Sequence, residues 1–121
     1  EQFAKDIVRL NGFLEEEGKD PVTFHNAVST MAMFISENKG DIDHIGGPGY
    51  MPRPTGLGLE QPADRPNEDP HAHDMIGTRA ECIDKVRRWK SAGAQAIFLS
   101  PRGPNLLEQM RIFMNDVASQ L

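Results

Sequence analysis

The chain has 121 residues, a formal net charge of −5 and 38% hydrophobic residues. That is enough for one domain with a core of its own, and the acidic balance argues against a nucleic-acid surface, because phosphate binding needs a concentrated positive field. The lone cysteine, Cys82, forbids an internal disulfide and fits a cytoplasmic protein, while no apolar run is long enough to cross a membrane and no leader with a cleavage site is legible.

Residues 2–17 place Phe3, Ile7, Leu10 and Leu14 at helical spacing, which predicts an amphipathic helix. Gly18 is its stop, and Pro21 prevents continuation. Glu1 already lies inside this pattern, so the start reads as that of a fragment or a processed end. From Val22 the residues become β-branched and aromatic, predicting a strand over 22–29. The stretch on to Ser36 fits either an extension of that strand or a short helix, since Met31, Phe34 and Ile35 also fall at helical spacing.

Residues 39–74, which include "GGPGYMPRPTGLGLEQPADRPNEDPHAHD", read as a long Gly/Pro-rich loop insertion without usable periodicity. Loops of such length inside compact domains are usually functional or disordered. Tyr50, Met51, Leu57 and Leu59 make this one too apolar for a plain linker, so a cover over a site and disorder both fit.

Met75-Ile76 predicts a short strand, and Thr78 with Glu81 three residues on is a capping box that starts a helix. Cys82, Ile83, Val86 and Trp89 form its apolar stripe, with Cys82 read as core filler, and Lys85, Arg87, Arg88 and Lys90 read as its solvated face. Gly93 ends it, and Ala96 to Leu99 is short and apolar enough for a strand buried on both faces. Residues 75–103 thus read as a βαβ unit. After the turn at 100–104, a last helix from Asn105 carries Leu106, Met110, Phe113 and Val117 on one face, widened by Leu107, Met114 and Leu121.

This order implies an α/β fold with parallel strands joined by right-handed crossovers. Three such strands leave two open edges and a one-sided helix layer, whereas a closed TIM (β/α)8 barrel needs eight strands and about 250 residues. The expectation is that the chain is the C-terminal portion of such a barrel, with the missing staves outside it.

Several residues strengthen that expectation. Ile76-Gly77-Thr78, then Glu81, Ile83 and Val86, then Ala92-Gly93-Ala94 leading into Ile97-Phe98-Leu99, then Gln109, Met110 and Phe113 resemble the C-terminal end of the luciferase-like flavin-dependent monooxygenase family. Residues 1–36, with a helix, "GKDP" at 18–21 and what would be a sixth strand, are similar too, so the likeness spans most of the chain apart from 39–74. Arg79 departs from the pattern, which commonly has Pro at the first helical position, but Arg is compatible with that position.

The resemblance implies a barrel whose mouth holds FMN, or deazaflavin in one branch, and a flavin-dependent oxidoreductase or monooxygenase acting on a small organic substrate without a metal. The cofactor supplies the reactivity and the protein orients it and excludes water. The family's phosphate contacts come mainly from middle strands, so this chain alone should be inactive and a poor flavin binder. Its implied partners are the N-terminal half of the barrel, flavin and substrate; a homodimer is compatible, and nucleic acid and membrane are not expected.

Barrel active sites lie beyond the C-terminal ends of the strands. Arg102, held between Pro101 and Gly103 after the last strand, is the leading cofactor- or substrate-binding candidate, able to fork onto a carboxylate or phosphate. Ser100 and Gly103 flank it, and His71 and His73 of "DPHAHD" could contact substrate from the long loop. Their spacing lacks the further ligands of a metal site. His25 is expected as a core histidine or a group pointing into the barrel, and His44 is left open. Two other readings stand beside this one: a non-catalytic α/β interaction module completed by a partner chain, and a barrel enzyme that holds a substrate phosphate at its last two βα loops.

Overall fold

The computed structural model describes residues 2–47, 71 and 74–121. Helix α1 (Gln2–Glu16) presents Phe3, Ile7, Leu10 and Leu14 inward as its spacing predicts, with Leu14 buried. A 3-10 turn at Pro21–Thr23 follows, capped by the Asp20 carboxylate, which accepts from the Val22 N–H at 2.9 Å. The predicted strand therefore begins later than residue 22. It runs as β1 (Ala27–Ser29) and continues, after a break, as β2 (Met33–Ile35), so the ambiguous stretch to Ser36 is strand.

Residues 27–35 form the middle of the sheet. β1 pairs in parallel with β4 (Ala96–Phe98), Ser29 opposite Phe98, and β2 pairs in parallel with β3 (Met75–Gly77), Phe34 opposite Ile76. Met33 bridges back to Pro101. The change of partner is made by a bulge. The Thr30 N–H donates to the Phe98 carbonyl at 3.0 Å, the Met31 N–H turns to the Asp74 carboxylate at 3.2 Å, and the Met33 N–H returns to the Ser100 carbonyl at 2.7 Å. One additional residue reverses the pleat there, as bulges do.

This topology corrects the unit read from residues 75–103. β3 and β4 follow one another around helix α3 (Arg79–Ser91) but lie on opposite sides of the central path and do not pair with each other. Both later strands return to the path at 27–35, β3 beside its β2 part and β4 beside β1.

The capping box is formed as predicted: Thr78 Oγ1 accepts from the Glu81 N–H and the Glu81 carboxylate accepts from the Thr78 N–H at 2.8 Å. At the other end Gly93, with φ +98°, closes a Schellman turn in which Ala94 N–H reaches the Trp89 carbonyl and Gly93 N–H the Lys90 carbonyl, both at 3.0 Å. The first part of the insertion, read as loop, is helical as α2 (Lys39–Ile45), started by Asn38, whose side chain accepts from the Gly40 and Asp41 N–H groups.

Helices α3 and α4 (Leu106–Ile112) cover one face of the sheet, where Met33, Ile35 and Met75 pack with Cys82, Val86, Phe113 and Val117. On the opposite face, among the described residues, Ala32, Phe34 and Ile76 meet Ile45 of α2 at the upper end. β4 is not buried on both faces: Ile97 is half-buried against the helices, Phe98 is 65% exposed, and Ala96 and the neighbouring Ala27 and Ser29 are exposed too.

The last helix also differs from its predicted stripe. It passes into a π-helical turn at Phe113–Val117 and a 3-10 turn at Ala118–Gln120. The wider turn aligns Gln109, Phe113 and Val117 toward the sheet, leaving Leu106, Leu107, Met114 and Leu121 exposed.

Candidate functional site

Parallel strands bring their C-terminal ends to one side, so Ser36 and Glu37, Thr78, and Ser100 to Gly103 gather at one rim. Arg102 is fixed there by its main chain, its N–H donating to the Met33 carbonyl at 2.9 Å. Its guanidinium is exposed, and among the described residues its side-chain partner is the Met31 carbonyl, at 3.4 Å. Most of its forked donor set therefore faces outward.

Gly103 has φ +95°, and a Cβ there would lie 2.8 Å from the Phe34 ring, so packing as well as conformation demands glycine. Ser100 is half-buried and lends its carbonyl to the ladder through Met33. Both support the turn that presents Arg102.

His71 stands against the end of α2. A Cβ on Gly46 would meet its Cε1 at 2.7 Å, and its Nδ1 lies 4.0 Å from the Asp74 carboxylate. His73 lies outside the described residues, as does most of the predicted insertion. His25 and His44 are both exposed, His25 in the turn before β1 and His44 on α2, which corrects the core placement expected of His25. Among the described residues no group of three His, Cys, Asp or Glu side chains could hold a metal ion, and no helix is long and apolar enough to cross a membrane.

Four features around the central path escape the sequence. Lys85, expected on a solvated face, is 7% exposed and donates to the carbonyls of His71, Asp74 and Ile76 at 2.9, 3.1 and 3.0 Å. Asp74, in the segment weighed for metal binding, instead satisfies the Met31 N–H that the bulge would orphan. Gln109 takes over the ladder where β4 turns away, accepting from the Ile35 N–H at 2.7 Å and donating to its carbonyl at 3.1 Å. Arg79 donates through Nε to Asp116 at 2.7 Å and through Nη1 to Glu37 at 3.0 Å, tying β2, α3 and the π-helical turn together.

These contacts set the electrostatics. Hydrogen bonds from the Arg79 main chain and then its side chain hold the Glu37 carboxyl below its ordinary range, and the Thr78 N–H and hydroxyl do the same for Glu81. The Asp116 and Glu37 carboxylates raise Arg79 further. Burial pushes the Cys82 thiol up to about 11, which leaves it core filler without nucleophilic character at neutral pH. A cavity of about 340 Å³ lies on the helical side, among Val86, Lys90, Ile97, Leu99, Phe113 and Leu121, and none of the predicted site residues lines it. Among the described residues at the rim, Arg102 presents outward-facing donors of the kind that bind an anion.

Compared with family models, with curated proteins and with solved structures, the chain finds no match.

Proposed function

We propose that this chain supplies the last staves of a (β/α)8 barrel in a flavin- or deazaflavin-dependent oxidoreductase of the luciferase-like kind. The observation that carries the reading is the one-sided sheet among the described residues: β1 and β4 pair in parallel, with α3 and α4 on one face and Phe98 and Ala96 exposed on the other. In a barrel, helices form an outer ring and side chains from all strands fill the inside; the staves in this reading are the path at 27–35 and β4, and β3, which lies beside β2 and not beside β4, is an addition at the other edge. The face bearing Phe98 and Ala96 then becomes inner wall, and Arg102 stands beyond the strand ends, where barrel enzymes keep their chemistry.

Reduced FMN would activate dioxygen to oxygenate a small organic substrate, or reduced deazaflavin would transfer a hydride. The chain's own contribution is binding and exclusion. Arg102 pairs with a carboxylate or phosphate of substrate or cofactor, the Ser100–Gly103 turn over Phe34 holds it in place, and the apolar inner wall keeps water from the ring.

The test is a titration of the protein extended by the coding sequence that precedes Glu1, using FMN and deazaflavin in turn and following visible absorbance. Saturable binding of one of them is expected. Arg102→Ala should weaken the binding of that flavin, or of a carboxylate substrate, by about tenfold or more, the worth of one charge-assisted contact, with melting almost unchanged. An extended protein that binds neither flavin contradicts the oxidoreductase reading, and an alanine variant with full affinity and full activity removes Arg102 from the site.

A further inference from the structure

We propose that Lys85 and Asp74 are positioning residues for Arg102, acting through the bulge at Met31. All three ammonium protons of Lys85 are engaged by main-chain carbonyls, so a single buried cation ties His71, Asp74 and Ile76 together at the start of β3. Asp74, itself buried, passes this on: its Oδ1 accepts from the Met31 N–H at 3.2 Å. The Met31 carbonyl in turn accepts from Arg102 Nη2, at 3.4 Å.

The Met31 residue is thus held through both of its main-chain groups, the N–H by Asp74 and the carbonyl by Arg102, at the one stretch where the central path exchanges β4 for β3. A bulge left without the Asp74 carboxylate has an orphaned N–H and a softer local backbone. The guanidinium resting on the next carbonyl then loses its fixed seat. What Arg102 grips rests on the oxidoreductase reading; that its direction is set from Lys85 does not.

The experiment uses the 121-residue chain, isotope-labelled for NMR, with the Arg102 Nε–Hε signal assigned by its disappearance in Arg102→Lys. In Asp74→Ala the Met31 amide is expected to exchange about tenfold faster and the Arg102 signal to shift, while the Val28 amide keeps its protection. Asp74→Asn, which retains an acceptor oxygen, restores both. Lys85→Met, which leaves Asp74 in place, gives the same two changes as Asp74→Ala and serves as the second variant where that one does not fold. An unmoved Arg102 signal, no rescue by asparagine, or an equal loss of protection throughout β1 to β4 would overturn the proposal. Because these readouts need no flavin, failure of the flavin titration and failure of this experiment are separate results.

Discussion

Gly103 and Cys82 bound the candidate rim from opposite sides, one by what it cannot carry and the other by what it cannot do. The Phe34 ring lies where a Cβ of residue 103 would go, so the turn that presents Arg102 is seated on the sheet and not merely tethered to it. Cys82 is fully buried, and its thiol is raised to about 11. Burial and protonation together predict that a thiol-reactive probe at neutral pH labels the native chain only through unfolding, with a rate that follows denaturant concentration; rapid native-state labelling would contradict this. At this scale the sequence makes Cys82 legible as core filler and Gly103 as a turn residue. Lys85 and Asp74 are not legible, because a buried ammonium satisfied by carbonyls and a carboxylate satisfying a bulge both depend on residues 31, 71, 74, 76 and 85 being brought together.

Helix α3 is the element most fully written in local chemistry, and its ends make two predictions. Gly93→Val puts a β-branched residue at φ +98° and should cost about 2 kcal/mol or more, a fall in Tm on the order of 10 °C by calorimetry. Glu37 and Glu81 are held below their ordinary value of 4.5, so both contribute stability that is fully present above that value and lost as pH falls through their lowered ones. Denaturation midpoints followed from roughly pH 6 down to pH 3 should therefore decline, and Glu37→Gln should flatten part of the decline. Caps and stops depend on residues three to five apart, which is why they are readable. The bulge at Thr30–Ala32 and the π-helical turn are not, since each is fixed by partners far along the chain, Asp74 for the one and the sheet beneath Phe113 and Val117 for the other.

For the whole molecule, alternation of strands and helices implies the parallel pairing that the ladders show, but it assigns the wrong neighbours. Met75–Gly77 is too short to announce whether it is a full stave or an edge addition, and only the ladders show it beside β2 with the central path between it and β4. The apolar run at 96–99 promises two buried faces, and one of them is bare at Phe98. If the chain is part of a barrel, that face is the inside of a larger cylinder. Ser29→Cys reports on it most directly, because Ser29 is the exposed partner of Phe98 in the ladder, the change is nearly isosteric, and Cys82 is silent. The account predicts rapid labelling of this thiol in the 121-residue chain and slowing by about a hundredfold in the extended protein, a protection set by burial inside packed staves. Equal rates in both would mean that nothing closes over the sheet, and the barrel would have to be given up.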